Sequence, residues 1–210
     1  MHDGDRFLRA SNRGFRGLDF AREGQWRGDF AFVQLADPQL GMLHWNKSWE
    51  EEGAMLKKAV DQINALKPKF VVVCGDLVNA YPDTQLAEQE LQFADFKRIT
   101  SQLDPAIPLV CVCGNHDVGD RPTNATVAQY GKHVGDNYFS FWAGGVRFLA
   151  LDTQIYRDWG ERGPGGPSDA TQKALEEATK KGCPPLDESL RDLQEQWLDA
   201  ELKFQLPPPP

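Results

Sequence analysis

FVVVCGDLVNA, residues 70–80, carries the reading of the fold. Its first five residues are apolar, three of them consecutive valines, and the run stops abruptly at Gly75-Asp76. A run that short and that β-branched predicts a strand covered on both faces, as parallel strands are. The glycine lets the chain turn sharply and present the aspartate at the strand's carboxyl end. The same grammar occurs on either side. FAFVQLA (30–36) runs into Asp37-Pro38-Gln39, and LVCVC (109–113) runs into Gly114-Asn115-His116-Asp117. Asp37, Asp76 and Asn115 are spaced 39 residues apart in each interval, the length of one strand-helix unit.

Between the strands lie two helical patterns. Ser48 followed by Glu51 predicts a capping box for a helix reaching Leu66, with Leu56, Ala59, Val60, Ile63 and Leu66 at helical spacing and Pro68 ending it. A second helix spans 84–103, with Leu86, Phe93, Phe96, Ile99 and Leu103 on one side. The rhythm is β-α-β-α-β, which predicts a parallel α/β sheet with right-handed crossovers. A short helix over 123–134 follows, then a hairpin of 137–143 and 146–152 about Gly144-Gly145. Residues 155–185 carry Gly- and Pro-rich loop or insertion chemistry. A charged helix then runs from Asp187 to Phe204, with Leu190, Leu193, Trp197 and Leu202 at core-like spacing. The expected division is an irregular leader over 1–28, a partial α/β domain over 29–204, and a proline tail over 205–210. The leader, lacking apolar periodicity, is expected to drape over the domain or stay mobile.

Composition narrows the class. The 210 residues are 40% hydrophobic and 26% charged, with 23 basic against 31 acidic residues and a net charge of −8. These values exclude a wholly disordered or collagen-like chain and argue against a nucleic-acid partner bound through phosphate neutralisation. No apolar run approaches the ~18 residues that span a bilayer, so no membrane partner is expected. The first residues carry no segment of signal-peptide type, and the expected location is cytoplasmic. Cys74, Cys111, Cys113 and Cys183 lack metal-site spacing and are expected as reduced thiols.

The three loops after the three strands lie at the sheet edge where open α/β folds place their ligand sites. Two carboxylates, an amide oxygen and an imidazole gathered there are hard or borderline donors for divalent cations. A pair of such ions clamps a phosphoryl group and acidifies a water between them. Two ions add four positive charges and Asp37 with Asp76 remove two, which leaves a pocket suited to a phosphate dianion.

The ordered set Asp37, Gly-Asp76-x-x-Asn79 and Gly-Asn115-His116-Asp117 resembles the metallophosphoesterase (calcineurin-like phosphoesterase) superfamily. ADPQ (36–39), CGDLVNA (74–80), IPLVCVCGNHDVG (107–119), YFSFWAGGVRFLALD (138–152) and QEQWLDAEL (194–202) are similar to its serine/threonine phosphatase branch. The resemblance covers 30–152 and 186–204. It implies the amino-terminal portion of an αββα sandwich and a metal-dependent phosphoric-monoester hydrolase acting on phosphorylated proteins. It implies two divalent metal ions (Mn, Fe, Zn or Mg), with Asp37 on one, Asp76 bridging both and Asn115 on the second. His116 would protonate the leaving oxygen or contact the phosphate, its ring oriented by Asp117 or Asn79, and a hydroxide between the ions would attack phosphorus in line without a phosphoenzyme.

Two departures from the family pattern stand out. Gln39 replaces the histidine that many members carry two residues after the first aspartate, although the phosphatase branch resembles this chain there. The later histidine motifs have no counterpart, because the four histidines are His2, His44, His116 and His133. The chain therefore reads as an incomplete domain whose sheet would leave one apolar face uncovered. The leading reading is a truncated form of the phosphomonoesterase, whose missing histidines put its own activity in doubt. The alternatives are a non-catalytic binding module and a phosphodiesterase acting on nucleotides or lipid headgroups. His44 is expected as a solvated loop residue and His133 at the surface, and a hydrophobic rim of Trp45 with Trp49 is the less favoured of two readings for that pair.

Overall fold

The valine run forms the centre of a three-stranded parallel sheet in the order β1-β2-β3. The structure, a computed structural model, describes residues 10–12, 14–156 and 188–203. Strands β1 (Val33–Ala36), β2 (Val71–Cys74) and β3 (Leu109–Val112) pair with Val33 opposite Val71 and Val71 opposite Leu109. Helix α1 (Phe20–Glu23) precedes β1, α2 (Glu50–Leu66) joins β1 to β2, and α3 (Leu86–Thr100) joins β2 to β3. Short helices α4 (Asn115–Val118) and α5 (Asn124–His133) lead to a hairpin of β4 (Phe139–Ala143) and β5 (Val146–Ala150). A 3₁₀ turn at Gln154–Tyr156 and helix α6 (Glu188–Leu202) complete the described chain. The parallel sheet, the hairpin and the terminal helix appear as the sequence predicts.

One face of the sheet buries Val71, Val73, Cys111 and Cys113 against Leu56, Val60 and Ile63 of α2 and Phe93, Phe96 and Ile99 of α3. The other face is covered too, which corrects the expectation of an exposed apolar face. Phe70 and Val110 pack there with Phe139, Phe141, Ala143 and Ala150 of the hairpin. The Phe141 and Phe148 rings stack at 4.9 Å, and Phe70 meets both edge-on at 5.3 and 5.2 Å. Strand alternation explains the covering: residues 139, 141 and 143 face inward while 140 and 142 face out.

The leader contributes to that second core. Phe15 and Leu18 are buried in it, and the Leu18 carbonyl accepts the N–H of Trp142 at 2.8 Å. Asp19 caps α1, and Glu23 receives the Gly144 N–H and pairs with Lys69. Two apolar residues three apart are too short a signal for periodicity to register. Among the described leader residues, Ala10, Phe15 and Leu18 thus lie in the core, so this part of the leader packs over the domain.

Three further expectations change. Helix α2 is capped by Trp49 without a side-chain bond, and Glu51 reaches His44 rather than closing a capping box. In α6 only Leu190 is core, while Leu193 is 53% and Leu202 68% exposed. That helix is held by polar contacts instead. The buried Gln194 accepts the Asp152 N–H at 2.9 Å and donates to its carbonyl at 3.2 Å, and Arg147 pairs with Glu201. His133 is 9% exposed rather than superficial, stacked on Phe93 at 4.4 Å between Glu90 and Lys97. The loop expected over 155–185 lies outside the described residues beyond Tyr156, as does the proline tail.

Candidate active site

The parallel ladder continues past the strand ends, and this brings the three loops together. The Asp37 N–H donates to the Gly75 carbonyl at 3.2 Å, the Gln39 N–H to the Asp76 carbonyl at 2.9 Å, and the Asn79 N–H to the Leu40 carbonyl at 3.0 Å. Asp37 and Asp76 both sit in the left-handed region, at φ 51° and 47°. Aspartate tolerates that region better than most residues, and such strain collects at functional sites.

The third loop closes against the second. The His116 backbone N–H donates to Asp76 Oδ1 at 3.0 Å. A methyl group on Gly114 would collide with that same oxygen and with the Asp76 nitrogen, so glycine permits the approach. Burial raises the Asp76 pKa, opposed by the N–H of His116 and reinforced by the negative charges of Asp37 and Asp120. The structure thus brings Asp37, Asp76, Asn115 and His116 to one sheet edge.

Neither orienting partner foreseen for the His116 ring serves through its side chain. Nδ1 lies 2.6 Å from the backbone carbonyl of Asn79, and Nε2 lies 3.4 Å from the hydroxyl of Tyr81. Asp117 is buried and turned inward, accepting the N–H groups of Leu77 at 2.9 Å and Gly114 at 2.8 Å. It stitches the second loop to the third. Gln39 donates to Asn79 Oδ1 at 3.3 Å. His44 is an exposed partner of Glu51, as expected of a loop histidine. Trp45 is 83% exposed, whereas Trp49 packs against the core and donates its indole N–H to Asp95 at 2.7 Å, so the two do not form one rim.

Sequence reasoning missed three supports of the site. Buried Gln92 accepts the N–H groups of Asn79 at 3.1 Å and Ala80 at 2.8 Å, and donates to Asn46 at 2.9 Å. Buried Gln89 donates to the carbonyls of Ala80 at 3.1 Å and His116 at 3.2 Å. Glutamines at the core-facing positions beside Phe93 and Phe96 were the available signal, because a buried amide needs partners. Tyr81 had no such signal.

Asp37, Asp76 and Asn115 supply hard oxygen donors, whose chemistry suits a divalent cation. Three groups fill part of one coordination shell and fall short of two. Among the described residues no cluster of three or more His, Cys, Asp and Glu side chains is arranged to hold a metal ion. The donors fit part of a metal site, then, and not a complete dinuclear one.

The sequence model of the family described as calcineurin-like phosphoesterase matches residues 30–203. The chain belongs to the calcineurin-like phosphoesterase family. It is 39% identical over 214 residues to serine/threonine-protein phosphatase CPPED1 of Danio rerio, covering 97% of this chain and 60% of the relative. The proteins of the same name from Homo sapiens and Bos taurus are 39% and 42% identical, each over 209 residues covering 94% of this chain and 58% of the relative. This calcineurin-like phosphoesterase chain therefore spans about three-fifths of the length of these curated relatives. Divalent metals are typical of the family. Among the described residues, no helix is long and apolar enough to cross a membrane.

Proposed function

We propose that the chain is a metal-dependent phosphomonoesterase whose substrates are phosphoserine or phosphothreonine proteins. The observation that carries this reading is the convergence at Asp76, whose side chain accepts the His116 N–H while its backbone carbonyl accepts the Gln39 N–H. Family membership and the printed names of the relatives support the phosphatase assignment. In this reading Asp37, Asp76 and Asn115 hold divalent metal, for which they supply part of the coordination shell. Bound metal would polarise the phosphoryl group and acidify a water. His116, its Nδ1–H fixed on the Asn79 carbonyl, presents Nε2 to the leaving oxygen, which it protonates when the ring is in its imidazolium form. Buried free thiols at Cys111 and Cys113 suit a reducing, cytoplasmic compartment.

The test is turnover of para-nitrophenyl phosphate and a phosphothreonine peptide by the purified chain with added Mn²⁺. Hydrolysis that disappears in Asp76→Asn and His116→Ala supports the reading. One observation favours a second reading, a non-catalytic binding module: the metal donors among the described residues are few. Absence of both metal uptake and turnover would sink catalysis by this chain.

A further inference from the structure

We propose that Tyr81 is a positioning residue of this site, fixing the Asn115 amide and the His116 imidazole through one hydroxyl group. The inference rests on the roles given above to Asn115 and His116.

The donor and acceptor chemistry assigns each atom. A backbone carbonyl only accepts, so the 2.6 Å contact from Asn79 places a proton on His116 Nδ1. In the neutral ring Nε2 is then the acceptor, and the Tyr81 hydroxyl donates to it across 3.4 Å. The same hydroxyl oxygen accepts from Asn115 Nδ2 at 3.1 Å. Asn115 Nδ2 also donates to Asp120 Oδ1 at 3.0 Å. A carboxylate cannot donate, so this last contact identifies which end of the amide is nitrogen. With its two N–H groups directed at Tyr81 and Asp120, Asn115 retains its oxygen as the ligand atom.

Ring contact and backbone anchoring reinforce the arrangement. The Tyr81 and His116 rings lie with centroids 4.4 Å apart, inclined at 39°. The Tyr81 carbonyl accepts the Gln85 N–H at 3.0 Å, and the preceding Ala80 is pinned by Gln92 and Gln89. Tyr81 thereby links the second loop to two residues of the third through contacts that no backbone ladder supplies. Its hydroxyl sets the two groups relative to each other, and its ring limits the swing of the imidazole.

Tyr81→Phe keeps the ring and removes only the hydroxyl, which makes it the deciding variant. The first readout is nitrogen-15 NMR of the full chain without added metal, with His116 assigned by comparison with His116→Gln. The expected result is that the His116 Nε2 resonance moves toward that of a nitrogen without a hydrogen bond. Nδ1 stays protonated, and the Asn115 side-chain NH₂ signals shift. Unchanged Nε2 and NH₂ signals would overturn the proposal. The second readout is hydrolysis of para-nitrophenyl phosphate with Mn²⁺, where kcat should fall about tenfold with KM within about twofold, as for a lost orienting hydrogen bond. An unchanged kcat, or a change confined to KM, would overturn it as well. If the unaltered chain shows no turnover, the phosphatase reading fails on its own, and the resonances still decide the role of Tyr81.

Discussion

Asp117 holds Leu77 by its backbone: both carboxylate oxygens accept the Leu77 N–H, at 2.9 and 3.2 Å, while one also accepts the Gly114 N–H at 2.8 Å. Burial drives the Asp117 pKa well above the ordinary carboxylate range, and these N–H donors pull it back. Asp117→Asn puts an NH₂ group against at least one N–H, leaving a buried donor unmet. The expected cost is about 2 kcal/mol of stability. Urea unfolding at pH 7 measures it, and turnover should fall as well because the Asp76 and His116 loops part.

Gly114→Ala drives a methyl group into Asp76. The carboxylate is a metal donor in the proposed function, so overpacking should cost about 1–3 kcal/mol and weaken Mn²⁺ binding together. Calorimetric titration with Mn²⁺ and a thermal melt of the same sample test both halves. Binding equal to that of the unaltered chain would show that Asp76 is not a ligand.

Phe70→Ala opens the aromatic cluster that joins the sheet to the hairpin. Removing a fully buried phenylalanine costs about 3–5 kcal/mol. Chemical denaturation reads the loss, while Trp45→Ala, at an exposed loop position, should remain within about 0.5 kcal/mol of the parent.

His133 gives stability a pH dependence with a definite sign. Burial lowers its pKa below the usual 6.5, Lys97 adds to the depression, and Glu90 opposes it. Lys132 on α5 also disfavours the charged ring. The unfolded chain therefore binds a proton at higher pH than the folded one. This contribution is fully present above pH 6.5 and is lost as pH falls through the lower, folded value. Denaturation midpoints between pH 8 and pH 5 should decline, with a shallower slope in His133→Leu.

The strands and site loops were legible because their signals are local. Three apolar runs each ending in Asp or Gly-Asp/Asn name both the sheet and the edge that carries Asp37, Asp76 and Asn115. The packing of Phe15 and Leu18 on the hairpin was not legible, since their partners lie more than 120 residues away. His133 was misplaced because helical periodicity treats histidine as polar, whereas its ring stacks on Phe93 like an aromatic core residue. Asp117 showed the converse. Its place beside His116 pointed to the ring, yet the chain turns at Gly114 and aims the carboxylate at backbone N–H groups.

The contact between Trp197 and Asn12 has a temporal consequence. The indole N–H donates to the Asn12 carbonyl at 3.1 Å across 185 residues of sequence. On a ribosome, Phe15 and Leu18 emerge long before Phe139 and Phe141, their ring and core partners. The nascent chain can assemble the helix-covered side of the sheet while the opposite apolar surface waits for the hairpin. Through that interval the unsatisfied phenylalanines are exposed to chaperones and to other chains. Late closure makes synthesis the period in which this fold is most open to misassembly.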